Sequence, residues 1–256
     1  MNVAVIGSGG REHALCFQLL KSKEIENLFC IPGNAGTKNI CQNIDINYLD
    51  FELLYTILQE NEIKMVIVGP EIPLVAGIVD FLSDRNIYAF GPTKNASQLE
   101  GSKAFMKKLC KDFDIPTAKY EEFENFDEAK YYIETNQHPL VIKSDGLAAG
   151  KGVTISTTIE ESLKSIKEIL EGKFKSSKKF IVEEFLQGEE ASYFVITDGE
   201  NYIPIGTAQD HKRIGEGDTG PNTGGMGAYS PSLIIDHKIE KKNSNKYYRT
   251  YSCWIK

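Results

Sequence analysis

The 256-residue chain has no cysteine pair at CxxC spacing; its five cysteines, Cys16, Cys30, Cys41, Cys110 and Cys253, are scattered and odd in number. That disfavours a zinc centre or a disulfide framework and leaves reduced thiols in a cytoplasmic protein as the expectation. Histidine is scarce, four in all, and no second His or Cys stands at ligand spacing from His211. Positive charge is not in excess. A formal net charge of -7 disfavours nucleic acid and anionic membranes as partners, although a local group of lysines and backbone N–H donors can still hold a small anion. No hydrophobic run approaches a membrane span, and the opening "MNVAVIGSGG" lacks a basic flank and loses its apolar run at Ile6, so no signal peptide is expected. Internal repeats and low-complexity linkers are also missing. What remains is an ordinary globular balance, 41% hydrophobic and 25% charged, sufficient for one large or two modest domains.

Short apolar runs alternate with helical patterns over residues 1–92. "NVAVIG", "NLFCIPGN", "KMVIVGPE" and "NIYAFGP" read as strands, "REHALCFQLLKS" and "PLVAGIVDFLSDR" as helices. The alternation predicts a parallel sheet covered by helices in the Rossmann manner, with turn-formers at the strand ends along one edge, where such sheets bind ligands. Beyond a boundary near residue 101 the order changes. A helix over "NASQLEGSKAFMKKLCKDF" precedes a strand at 115–123, a helix at 127–134, and "PLVIKSDGLAAGKGVTIS" as strand, glycine loop and strand. The helix "IEESLKSIKEILEG", the strand "KKFIVEEFL" and a hairpin turning at Asp198-Gly199 follow.

Four stretches carry candidate chemistry. In "GSGGREH" the glycines let backbone approach an anion at a helix N-terminus. A dinucleotide fingerprint, however, needs glycine where Glu12 stands, and "PGN" replaces the acid expected after the second strand. On this motif alone, a tight turn and a phosphate or sugar-phosphate site stand as equal readings. "SDGLAAGKGV" is not a Walker loop, because Gly146 and Gly150 enclose three residues and Gly152 sits where Ser or Thr would bind magnesium. Lys143 and Lys151 nevertheless suit a polyphosphate, to which a helix terminus alone contributes only about 0.3–1 kcal/mol; the bland alternative is a hairpin with two solvated lysines.

"IVEEFLQGEE" is weaker evidence: surface charge is the usual explanation for Glu189 or Glu190 taken singly, and the alternative is a nucleotide pocket in which backbone at 183–186 meets adenine and Glu190 meets ribose. "AQDHKRIGEGDTGPNTGGMGAYSP" sets Asp210, His211, Lys212 and Arg213 beside six glycines between Gly215 and Gly227. A loop so costly to order favours binding over a disordered surface segment.

Taken in order, "GSGGREHAL", "PGNAGT", "VGPEIPLV", "FGPT…LEGSKAFMK", "IPTAKY", "VIKSDGLAAGKGV", "EEFLQGEEAS" and "QDHKR…DTGPNTGGMGAYSP" closely resemble the phosphoribosylamine–glycine ligase (glycinamide ribonucleotide synthetase) family of the ATP-grasp superfamily, from Asn2 to about Pro231. The resemblance implies an α/β chain: a Rossmann-like pre-ATP-grasp domain at 1–101, then the N-terminal part of an incomplete ATP-grasp (α+β) domain at 102–242, with a nucleotide-clamping subdomain at about 115–190. It implies ligation of glycine to 5-phosphoribosylamine through a glycyl phosphate, giving glycinamide ribonucleotide, ADP and phosphate in purine biosynthesis. By the same resemblance Lys103, Lys143, Gly146, Gly150, Lys151 and Gly152 attend the ATP phosphates. Glu183, Glu184, Phe185, Leu186 and Glu190 form the adenine and ribose pocket. Asp210, His211 and Lys212 face the reacting centre, with Pro221, Asn222, Thr223, Gly224 and Gly225 beside the substrate. Gly9, Gly10, Asn34, Pro70 and Glu71 approach the phosphoribosylamine. Implied cofactors are ATP with Mg2+, or Mn2+ in its place; nucleic acid and membrane partners are not expected, and oligomeric state is open.

Family members continue beyond residue 256 and place a magnesium-binding Glu and Asn there, so no metal ligand is expected in this chain, and a remnant that binds nucleotide weakly or not at all is the alternative function. The last residues, 243–256, look like nothing earlier in the chain. Back-translated as TAT TAT AGA ACC TAC TCT TGC TGG ATT AAA and read one base on, "YYRTYSCWIK" becomes "IIEPTLAGL", similar to the family's "IIxPTxxGL" continuation. The expectation is an out-of-frame tail on a truncated ligase.

Overall fold

The computed structural model describes residues 1–147, 152–173, 178–217 and 219–243. Gly150, Lys151 and the expected out-of-frame tail beyond Asn243 lie outside the described residues. The chain divides into two compact units, Met1–Ser102 and Lys103–Lys256.

The first unit runs β1 (Asn2–Gly7), α1 (Gly10–Leu19), β2 (Leu28–Pro32), β3 (Gln42–Asn43), α2 (Phe51–Glu60), β4 (Ile63–Val68), α3 (Glu71–Ala76), α4 (Ile78–Ser83), β5 (Tyr88–Phe90) and α5 (Gln98–Gly101). The sheet is parallel throughout, in the order β3-β2-β1-β4-β5. Both its faces are buried, which is why its strands read as unbroken apolar runs. Alternation sorts them: Ala4, Ile6, Phe29, Ile31, Val66 and Val68 pack with Leu54, Leu58, Ile78 and Leu82 of the helices. Val3, Val5, Leu28, Cys30 and Ile67 pack with Cys16 on the opposite face.

Three elements differ from expectation, one of them the two-residue strand β3, which was not among the expected strands. The single helix read in "PLVAGIVDFLSDR" is two, broken at Gly77, whose φ of +99° ends α3 and starts α4 in a conformation that favours glycine. The helix α2 was not among the expected elements; Asp50 caps it by accepting from the Leu53 N–H at 3.1 Å, and Leu54 and Leu58 bury its inner stripe.

The second unit opens with α6 (Lys103–Asp112), followed by β6 (Tyr120–Phe123), α7 (Phe126–Thr135), β7 (Leu140–Ser144), β8 (Val153–Ser156), α8 (Ile159–Leu170) and β9 (Phe180–Glu184). These strands form an antiparallel sheet in the order β6-β9-β7-β8. Leu140, Ile142, Phe180 and Val182 pack with Ala129 and Ile133 of α7 and Ile166 and Ile169 of α8. The period of two then points Lys143 and Glu183 to the other face, where α6 meets β9.

β10 (Ser192–Thr197), β11 (Tyr202–Gly215) and β12 (Thr219–Tyr229) make a second antiparallel sheet, and α9 (His237–Asn243) follows. The expected turn at Asp198-Gly199 is present, with the Asp198 carboxylate accepting from the N–H groups of Glu200 and Asn201 at 2.9 and 2.6 Å. The glycine-rich stretch expected as a loop is instead a long hairpin, β11 against β12, with register shifts between His211 and Arg213 and between Arg213 and Gly215. Likewise, the long helix expected before residue 113 is split, with Ser102 extended at φ -140° and ψ 117° between α5 and α6.

Candidate functional site

In the first unit, the C-terminal ends of β1 and β4 border the point where strand order reverses, the usual ligand crevice of such sheets. Glu12 fills its floor. The side chain is buried, its Oε2 accepts from the Gly9 N–H at 2.6 Å, and its Oε1 accepts from Arg11 Nε at 2.8 Å. A Cβ at Gly7 or Gly69 would lie 2.7 Å from the Glu12 Cδ and Cγ. The helix N-terminus, which in a dinucleotide fold attracts pyrophosphate, is thus already occupied by the chain's own carboxylate. Of the substrate residues expected here, Gly10 is open, with no atom within 4 Å of an added Cβ. Pro70 precedes the first turn of α3, and Glu71 accepts from Arg11 Nη1 at 3.2 Å. Asn34 is committed to the loops: its Nδ2 donates to the Ser8 carbonyl at 2.9 Å, and its Oδ1 accepts from the N–H groups of Gly36 and Thr37 at 2.7 and 2.9 Å. It therefore shapes the rim rather than offering a free amide.

In the second unit, Lys143 on β7 and Glu183 on β9 are diagonal neighbours, since Val141 pairs with Glu183 and Lys143 with Ile181; long side chains span that separation. Lys143 Nζ donates to Glu183 Oε2 at 2.8 Å. The other oxygen, Oε1, is buried, has no hydrogen-bond partner, and lies 3.4 Å from Lys107 Nζ on α6. Lys107 is 2% exposed and donates to Thr117 Oγ1 at 2.7 Å and to the Ala118 carbonyl at 3.0 Å. Burial lowers its pKa from 10.5, an effect that Glu183 opposes and Lys143 reinforces.

Lys103 stands at the start of α6 with its Nζ donating to the Gly146 carbonyl at 2.9 Å. Asp145 holds that helix start, accepting from the N–H groups of Lys103 and Ala104 at 2.7 and 3.2 Å. The loop carrying Gly146 is thereby tied to the first lysine, and the Ser144 N–H bonds to the Gly152 carbonyl at 2.8 Å. Glu184 accepts from the Lys119 N–H at 2.9 Å; Phe185 is partly buried, and Leu186 is exposed just beyond the strand.

The hairpin joins two groups that the sequence reading kept apart. Lys212 Nζ donates to Glu190 Oε1 at 2.5 Å and lies 3.8 Å from Asp210 Oδ2. The His211 ring lies 6.0 Å from that of Tyr229 and lines a hollow of about 310 Å³ with Arg213, Glu216 and Met226. Thr223 Oγ1 donates to the Lys212 carbonyl at 2.8 Å and accepts from the Gly225 N–H at 3.0 Å; Asn222 pairs with Arg213. Pro221 and Gly224 complete that stretch of β12.

Sequence reasoning missed Lys107, Asp145 and Arg11. For Lys107 a signal exists: it follows Lys103 by four residues, on one face of one helix. Among the described residues no group of three or more His, Cys, Asp or Glu side chains could hold a metal ion, and no helix is long and apolar enough to cross a membrane.

Comparison with known proteins identifies the family and the fold. The family model for the phosphoribosylglycinamide synthetase N domain matches residues 1–100, and that for its ATP-grasp (A) domain matches residues 101–250. A phosphoribosylamine–glycine ligase from Brucella melitensis biotype 1 is 50% identical over 236 residues, 92% of this chain and 55% of the relative. The crystal structure of the Thermotoga maritima phosphoribosylamine–glycine ligase superposes with a TM-score of 0.83 at 33% identity, covering 100% of this chain and 61% of that one. The biotin carboxylase domain of Hydrogenobacter thermophilus 2-oxoglutarate carboxylase, solved with MgADP, shares the fold with a TM-score of 0.76 at 18% identity, covering 98% of this chain and 57% of that one. The chain thus spans little more than half the length of its curated relatives. With a parallel-sheet unit followed by part of an ATP-grasp domain, and with both family models matched in sequence, the chain belongs to the phosphoribosylglycinamide synthetase family.

Proposed function

We propose that this chain carries the nucleotide-binding lysines and part of the substrate surface of a ligase that joins glycine to 5-phosphoribosylamine with ATP. The observation that carries the reading is the gathering of Lys103, Lys143 and Gly146 at one end of β7, with Lys107 and Glu183 behind. Phosphoryl transfer needs positioning and charge neutralisation more than covalent help from the protein. Lys143 and Lys103 supply cations to the phosphates, with Gly146 and Gly152 beside them; Gly150 and Lys151, expected to join them, lie outside the described residues. Backbone at 183–186 receives adenine, and Glu190, already paired with Lys212, receives the ribose hydroxyls.

Glycine's carboxylate oxygen takes the γ-phosphoryl group, releasing ADP; the amine of phosphoribosylamine then attacks the acyl carbon and phosphate leaves. Asp210, His211, Lys212 and the 221–225 strand attend that centre. Gly9, Gly10, Asn34, Pro70 and Glu71 receive the phosphoribosylamine, with open backbone at Gly10 and an Asn34-shaped rim. Magnesium has no three-donor site among the described residues, so no step is assigned to it here. The same observation favours a second reading, nucleotide binding without turnover.

Titration with ATP tests the binding, with Lys143→Ala expected to weaken it about tenfold or more, as for loss of a charge-assisted contact; equal affinity in the variant overturns the role of Lys143. Incubation with glycine, phosphoribosylamine and MgATP separates the two readings, since ADP release accompanies ligation alone.

A further inference from the structure

Glu183 is a buried carboxylate with two lysines. Lys143 is 28% exposed along its side chain, whereas Lys107 is 2% exposed and anchored to Thr117 and Ala118. Only the first can reach a ligand. An ammonium group engaged at 2.8 Å by a buried carboxylate is a poor phosphate ligand unless it can leave, and leaving a buried carboxylate without a counter-ion is strongly unfavourable. A second cation, fixed on the far oxygen, removes that obstacle. Glu183 Oε1, which has no hydrogen-bond partner, lies 3.4 Å from Lys107, close enough for charge compensation. We propose that Lys107 is a positioning residue that keeps Glu183 compensated while Lys143 moves from the carboxylate to a polyphosphate. This rests on the nucleotide-binding reading above. A merely structural role for Lys107, holding α6 to the 117–118 segment, makes the opposite prediction about Glu183: removing the carboxylate as well would not help.

The test uses the full chain and two readouts: ATP affinity by titration, and the acetylation rate of Lys143 by acetic anhydride without nucleotide, read by peptide mass spectrometry. In Lys107→Met, Glu183 has Lys143 as its one remaining cation, so ATP affinity falls and Lys143 acetylation slows, each about tenfold, in line with coupling between contacting charges. In Lys107→Met with Glu183→Gln no carboxylate competes, and Lys143 acetylation returns to within about threefold of the starting chain. Unchanged Lys143 acetylation in Lys107→Met, or a double variant no better than the single one, overturns the proposal. If Lys107→Met does not fold, Lys107→Gln replaces it, because an amide can bond to Ala118 without charge. A starting chain that does not bind ATP defeats the nucleotide reading, while the acetylation series still decides the role of Lys107.

Discussion

Substituting Gly69 by alanine places a methyl group against the side chain that fills the first unit's crevice. The added Cβ would come closest to Glu12 Oε1 and would lie 2.7 Å from Cδ and Cγ, where ordinary contact starts at 3.4 Å, so the side chain must shift by more than about 0.7 Å. It has little freedom to do so, being 3% exposed and held by the Gly9 N–H at 2.6 Å and Arg11 Nε at 2.8 Å. Overpacking of this kind costs about 1–3 kcal/mol, and weakening a hydrogen bond to a charged group about 1.5–3 kcal/mol. Because either response relieves the other, the expected loss is about 2–4 kcal/mol, or about 10–25 °C in Tm for a unit of this size. Thermal and urea unfolding followed through the first unit measure it. The decisive comparison repeats Gly69→Ala in a Glu12→Ala background, where the methyl group has room and its cost should drop below about 1 kcal/mol. Equal destabilisation in both backgrounds refutes the claim that the Glu12 carboxylate occupies this space.

Asp145→Ala removes the acceptor of two N–H groups at the start of α6, and urea unfolding should find the second unit weaker by about 1–2 kcal/mol. Lys107 gives a pH signature. Burial holds its folded-state pKa below 10.5, so between that lowered value and 10.5 the unfolded chain binds more protons and stability rises with pH. The rise relative to Lys107→Met should be visible in unfolding curves taken across alkaline pH; its absence would mean that the buried lysine titrates normally. On the second sheet, Ile203 and Ile205 are 67% and 60% exposed, with Phe194 and Ile196 also open. Ile203→Thr with Ile205→Lys should reduce self-association in sedimentation velocity, since exposed apolar strands invite edge and face pairing.

The first parallel sheet and the β11–β12 hairpin were legible to different degrees for physical reasons. Strands buried on both faces, such as β1 and β4, leave short apolar runs bounded by turn-formers, and their alternation with helices implies a parallel sheet. The β11–β12 hairpin leaves no such trace. Its residues from Gly215 to Gly227 are too rich in glycine for strand propensity, and its pairing depends on partners that only the folded chain supplies. Glycine also hid the break at Gly77, where the apolar pattern runs on across a residue with φ +99°. The candidate site was readable where chemistry is local to a motif, as for Lys143 and Gly146. It was unreadable where partners are remote: Asp145 bonds across 42 residues to Lys103, and Glu183 lies 76 residues beyond Lys107 in sequence.

Two lysines sharing one carboxylate leave a local surplus of positive charge on a chain whose net charge is -7. For an approaching polyphosphate, the long-range field of such a molecule is repulsive and the short-range field attractive. Salt screens the first over a Debye length of about 8–10 Å and leaves the partly buried lysines much less affected. Ionic strength therefore acts on the approach of the ligand more than on its residence. Adding salt should speed capture of the ligand, the reverse of its effect on proteins that attract polyanions with a basic surface.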